Sequence, residues 1–240
     1  MKTRQTGFTL VEIAIVLVII GLLLGGILKG QEMIVQAKIK NAIQDFSGIS
    51  AAYYGYQDRY RTVPGDDAGA AARWTTPAGA VPGNGNGILE GDYLGTASSN
   101  AVTPPTTAES LLFWDDLRRS GFVTGALATT GVPVAPTNAF NGAIGVQQGD
   151  GNGGSQPPGA ILESTAGVVN TGFSNLVMCS ANLPDKVAIA LDVQMDDGNP
   201  SSGGVRGVEA AGNAANTALA TPASGYVETG TNTYTLCRQF

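Results

Sequence analysis

Residues Phe8-Thr-Leu-Val-Glu12 run directly into Ile13-Ala-Ile-Val-Leu-Val-Ile-Ile-Gly-Leu-Leu-Leu-Gly-Gly-Ile-Leu28, and in this stretch only Thr9 and Glu12 have polar side chains. As a helix, the 21 residues from Phe8 to Leu28 extend about 32 Å, enough to cross the hydrocarbon core of a bilayer. Lys2 and Arg4 precede the stretch, and no comparable basic cluster occurs before Lys29. That bias predicts a cytoplasmic N-terminus, a single pass and a large body on the far side of the membrane.

A secretory signal places a shorter apolar region ahead of a small-x-small cleavage site. Here the order is reversed, because Gly7 precedes the apolar stretch. Scission after Gly7 removes a basic leader and keeps the whole helix as a working part. Glu12 is the anomaly, since an ionisable group in lipid is costly unless it is paired. Scission would give Phe8 a new α-amine about one helical turn from Glu12. A carboxylate beside that amine, in its own or a neighbouring subunit, neutralises both. The alternative is that Glu12 snorkels toward the cytoplasmic headgroups, and spacing alone leaves both readings open.

Gly7-Phe8-Thr9-Leu10-Val11-Glu12 followed by an unbroken apolar stretch resembles the class III signal of type IV pilins and type II secretion pseudopilins. The resemblance is strong over residues 1–60 and weaker beyond. It implies cleavage between Gly7 and Phe8 and N-methylation of Phe8 by a prepilin peptidase. It also implies an inner-membrane assembly platform as partner, and a helical filament of this chain or other pilins in which Glu12 sets the register. The protein would begin in the inner membrane with its head in the periplasm, then enter an extracellular or periplasmic filament. Many major pilins have a proline near the end of the apolar helix; none occurs here before Pro64, which tilts toward a pseudopilin or minor pilin. Gly21, Gly25 and Gly26 would loosen the helix instead, or admit close helix contacts.

After Lys29, Val35, Ile39, Ala42, Phe46, Ile49, Tyr53, Tyr56 and Tyr60 recur at steps of four and three, one face of an amphipathic helix. The spacing predicts a helix to about Arg61 that packs this stripe on a sheet and ends at Pro64-Gly65. Asp66-Asp67, an alanine-rich run to Trp74 and the loop Pro82-Gly-Asn-Gly-Asn-Gly-Ile88 follow. Residues 109–121 predict a short amphipathic helix stopped by Gly121. This order of elements resembles a recurrent subset of large pilin-like proteins. Residues 142–159 read as a long surface loop, and 175–180 and 233–238 as strands carrying Cys179 and Cys237. Residues 184–197 alternate like a strand, but Pro184 near the start and Gly198 after the end favour a helix. The expected class is α+β with a lollipop shape. Residues 1–7 form the leader, 8–29 the transmembrane assembly helix, 30–61 its amphipathic continuation, and 62–240 a head with a small antiparallel sheet.

Composition narrows the function. With 13 Lys and Arg against 19 Asp and Glu, the net charge is −6, and histidine is absent. An acidic balance argues against broad nucleic-acid binding. The missing histidine excludes a His-dependent hydrolase and argues against a zinc enzyme. Asp66/Asp67, Asp115/Asp116 and Asp196/Asp197 are adjacent pairs, which do not face each other on a helix. A structural, non-enzymatic subunit is therefore expected. Cys179 and Cys237, an even pair in an exported chain, read as one disulfide, with two unrelated buried thiols as the alternative. Three loops gather oxygen donors with glycines: 84–92, 150–152, and Asp192 with Asp196, Asp197 and Asn199. Calcium takes such donors, and the last loop is the first candidate, although ordinary turn chemistry uses the same residues. Two other readings stay open: a type II secretion pseudopilin acting in protein export, and a membrane-anchored module whose glycine-rich head binds a surface or glycan.

Overall fold

The computed structural model describes residues 9–75, 79–94, 108–128, 133–149, 172–210 and 225–240. The bond between Gly7 and Phe8 and the loop at 150–152 lie outside them. The chain divides into two units, Met1–Lys40 and Asn41–Phe240. In the first, the described chain from Leu10 onward belongs to helix α1, whose bounds are Leu10–Tyr60. Its Leu, Ile and Val side chains from Leu10 to Leu28 are exposed, and the helix is long and apolar enough to cross a membrane. Exposed apolar surface of this size marks a lipid- or protein-interaction surface.

In the second unit, α1 buries Ala42, Phe46, Ile49, Ala52 and Tyr56, with Tyr53 and Tyr60 half-buried against the same core. The helix stops where Arg61 takes a left-handed φ of 59° and its N–H closes on the Gln57 carbonyl at 2.8 Å. Gly65, at φ 90°, turns the chain back. The short α2 (Ala70–Arg73) and then α3 (Glu109–Arg119) follow. Beyond α3, Phe122 N–H bonds the Leu117 carbonyl and Gly121 N–H the Arg118 carbonyl, with Gly121 at φ 82°. This Schellman closure is the stop that Gly121 predicts. Helix α3 buries Leu112, Phe113, Trp114 and Leu117.

Four strands, β1 (Ile144–Gln148), β2 (Leu176–Pro184), β3 (Val205–Ala210) and β4 (Thr233–Gln239), form an antiparallel sheet in the order β1-β2-β4-β3. Side chains alternate between its faces. Ile144, Val146, Leu176 and Met178 join the core that α1 and α3 cover, while Val177, Cys179 and Cys237 pack with Tyr93 and Phe173. Helix α4 (Asp185–Met195) forms over the segment where strand and helix signals compete. It buries Val187, Ala188 and Leu191, positions at helical spacing. One expectation is corrected: the loop read over 142–159 contains β1, and its residues from 150 onward lie outside the described ones. Strand β3 was also unforeseen, because Val-Arg-Gly-Val-Glu-Ala has no strong period of its own. Both are edge strands held by their neighbours.

Candidate functional site

The start of α1 is built by two side chains. Thr9 Oγ1 accepts from Glu12 N–H at 3.3 Å, while Glu12 Oε2 accepts from the Thr9 N–H and hydroxyl at 2.8 Å each. This reciprocal arrangement is a capping box, which satisfies orphan donors of the first turn. A negative side chain there also complements the helix dipole. The Thr-x-x-Glu signal was legible, yet the sequence reading weighed Glu12 only as an amine partner or a snorkelling group. Phe8, the amine-bearing residue of that pairing, lies outside the described residues.

Five carboxylates, Asp66, Asp67, Glu109, Asp115 and Asp116, are buried where α1, α3 and the 62–90 segment meet. Asp67 receives the Tyr56 hydroxyl at 2.7 Å and the Gly69 N–H at 2.8 Å, and pairs with Arg73. Asp115 pairs with Arg119 at 2.6 Å. Asp115 also takes the Ala128 N–H at 3.1 Å, and the other three hold backbone without a cationic partner among the described ion pairs. Asp66 takes the N–H groups of Gly85, Asn86 and Gly87 at 2.6, 3.1 and 2.7 Å. Glu109 takes those of Asn84 and Glu90 at 2.9 and 3.1 Å. Asp116 takes that of Gly65 at 2.7 Å. Four successive N–H groups, 84 to 87, thus converge on two carboxylates from distant parts of the chain, a backbone nest filled by the protein's own anions. Burial pushes both Glu109 and Asp116 up to about 7, against the pull of their N–H donors. Burial, foremost, also raises the Tyr56 phenol. Beside this network, Gln57, Arg61, Thr62, Asp66, Gly85 and Gly87 line part of an open cleft of about 570 Å³. These side chains anchor the fold. The sequence reading weighed Asp66/Asp67 and Asp115/Asp116 only as catalytic pairs, set them aside, and missed that role.

A family model described as the prokaryotic N-terminal methylation motif matches residues 2–28. The N-terminus carries the class III signal of type IV pilins and pseudopilins. No curated protein and no solved structure matches the chain. A long apolar helix followed by a part with a four-stranded antiparallel sheet is an α+β, pilin-like architecture.

In this pilin-like chain, Cys179 and Cys237 stand opposite each other on β2 and β4 and are joined as the expected disulfide, with Cα atoms 4.0 Å apart. The acidic residues in the last turn of α4 and just after it also meet: Asp192, Asp196 and Asp197 offer oxygens within 4.8 Å of one another. Those oxygens already have donors. Asp192 takes the Gly198 N–H at 3.3 Å and the Tyr226 hydroxyl at 2.6 Å. Asp196 takes the Val205 N–H at 2.9 Å, and Asp197 the Asn199 N–H at 2.8 Å and Ser202 hydroxyl at 2.6 Å. Asn199 turns instead to Ser201, at 3.1 Å from its N–H. Burial raises the Asp192 carboxyl, whereas the Ser202 hydroxyl lowers that of Asp197. The carboxylates are of the kind calcium takes, while the donors they hold are those of a tight turn leading into β3.

Proposed function

We propose that this chain is a structural subunit of a type IV pilus or pilus-like filament, cut after Gly7 by a prepilin peptidase, N-methylated on Phe8 and assembled through α1. One observation carries the reading: the residues bearing the methylation motif lead into an apolar helical surface, Leu10 to Leu28, that the chain itself leaves exposed. Before assembly lipid covers that surface, with the N-terminus cytoplasmic and the head periplasmic. In the filament the same surface is covered by neighbouring subunits. Glu12 then exchanges its capping bonds for the Phe8 amine of its own or an adjacent subunit and sets the register.

Intact mass and N-terminal sequencing of sheared surface material and of membranes test this. A chain beginning at methylated Phe8 in the sheared fraction supports a pilus subunit. The same chain confined to membranes, with loss of secreted enzymes on deletion, supports a type II secretion pseudopilin, which with a minor pilin is one of the two readings toward which the missing helix proline tilts. Retention of residues 1–7 in a host with active prepilin peptidase refutes processing. For the register, Glu12→Ala is expected to be cut normally yet to be lost from filaments, and normal incorporation refutes that role. Calcium at Asp192, Asp196 and Asp197 is a secondary proposal, resting on the 4.8 Å convergence of their oxygens. Titration of calcium into the chelator-stripped full chain in detergent should raise its melting temperature, and an unchanged value returns the loop to turn chemistry.

A further inference from the structure

The chain has four Asn-Gly pairs, at 84, 86, 141 and 152, and the first three fall in described residues. Asn-Gly is the dipeptide most prone to spontaneous deamidation, because glycine leaves its own amide nitrogen unhindered. The glycine N–H loses its proton and the nitrogen attacks Cγ of the asparagine. The N–Cγ bond forms, the Cγ–Nδ2 bond breaks, and ammonia leaves with the proton. Water then opens the succinimide at either carbonyl, giving aspartate or isoaspartate with no oxidant required. The loop at 84–87 sits at the surface, with Gly85, Asn86 and Gly87 exposed, and Gly85 and Gly87 line the open cleft. Solvent reach alone would make it labile.

The attacking nitrogens, however, are the ones that Asp66 holds. Gly85 N–H donates to Asp66 Oδ1 at 2.6 Å and Gly87 N–H to Oδ2 at 2.7 Å. A carboxylate in contact with the N–H disfavours its deprotonation electrostatically and is far too weak a base to remove the proton. The bonds also fix the backbone, with Gly85 at φ 75° and Gly87 at φ 85°. We propose that Asn84 and Asn86 are latent deamidation sites that the Asp66 carboxylate keeps closed, so that opening of this clamp commits the loop to irreversible chemical change. The damage locks itself in. Asn86 Nδ2 donates to Glu90 Oε1 at 3.2 Å, so an aspartate at 86 sets two carboxylates against each other. Isoaspartate adds a backbone atom and breaks the spacing of the four N–H groups that Asp66 and Glu109 share.

Asn141 supplies an internal control, because Gly142 N–H is held by Asn138 Oδ1 at 2.8 Å, away from Asp66. The full chain, in detergent, is aged in mildly alkaline buffer as wild type, as wild type in urea, and as Asp66→Asn. Peptide mapping with isoaspartate detection reads each site. Folded wild type is expected to convert at 84 and 86 on the order of tenfold or more slowly than in urea, since each 1.4 kcal/mol of local opening energy is a factor of ten. Asp66→Asn should accelerate 84 and 86 while 141 stays slow. Should 141 accelerate as well, that variant has unfolded, and Asp66→Glu, which keeps the charge but displaces it, takes its place with the same expectation. Equal rates for folded and urea-treated wild type overturn the proposal. Slow 84 and 86 in a folded Asp66 variant overturn it too.

Discussion

Replacing Asp116 by asparagine should make the head less sensitive to pH, in a direction opposite to acid denaturation of salt-bridged acids. Asp116 is buried, its Oδ2 holds the Gly65 N–H, and burial raises it from 3.8 to about 7. Asp115 and Arg119 face it from its own helix and Arg73 from α2, the aspartate raising and the arginines lowering its affinity for a proton. Between about pH 4 and about pH 7 the folded chain therefore holds a proton that the unfolded chain has released. Stability from this group is fully present below about pH 4 and is lost as pH rises through 7. Each pH unit in that window removes about 1.4 kcal/mol. The span of about three units gives a ceiling of about 4 kcal/mol, reduced where water or relaxation reaches the buried charge. Asparagine stays neutral and still accepts from Gly65, so it reproduces the protonated state. Urea unfolding of the full chain in detergent, followed by tryptophan fluorescence from buried Trp114, measures both proteins from pH 5 to pH 8. The variant should already exceed wild type at pH 5, by on the order of 1 kcal/mol, and the gap should widen to about pH 7 and then level off toward pH 8. The difference should grow by up to about 1.4 kcal/mol per pH unit until pH 7. Other titrating groups are common to both proteins and cancel in that difference. Parallel curves would refute the reasoning.

Converting Cys179 and Cys237 together to alanine opens a loop with a sequence separation of 58. The expected loss is about 4 kcal/mol by chain entropy, read as an earlier urea midpoint that reductant lowers in wild type but not in the variant. Tyr56→Phe removes the hydroxyl that Asp67 Oδ2 accepts at 2.7 Å and leaves that buried carboxylate short of a donor. A loss of about 1–3 kcal/mol is expected, and an unchanged midpoint would show that Arg73 and Gly69 satisfy Asp67 alone. Gly65→Ala puts a side chain at φ 90° where its Cβ would meet Leu89 Cδ1 at 2.7 Å and Phe113 N at 2.8 Å. Left-handed strain of about 1–2 kcal/mol adds to overpacking of about 1–3 kcal/mol. Protease resistance of the 62–90 segment should fall sharply.

Short-range signals in the amino-acid order determined much of this protein: the apolar stretch from Phe8 to Leu28, the Thr9–Glu12 cap, the tyrosine-edged stripe of α1, the glycine stop of α3 and the two cysteine strands. Each depends on residues within a few positions of one another, where helix period, capping and turn preference act before any tertiary contact exists. Other features were decided only by tertiary structure. Strands β1 and β3 take their conformation from β2 and β4, because neither Ile-Gly-Val-Gln-Gln nor Val-Arg-Gly-Val-Glu-Ala prefers a strand strongly enough to announce it. The acids illustrate the same limit. Asp66 lies 19 to 21 residues from the N–H groups it holds, and Asp116 lies 51 residues from Gly65. Whether such a carboxylate faces water or is buried on a glycine loop depends on how the segments between them close. Local propensity carries no information about that closure, and so the buried anchors of the head became visible only in the folded chain.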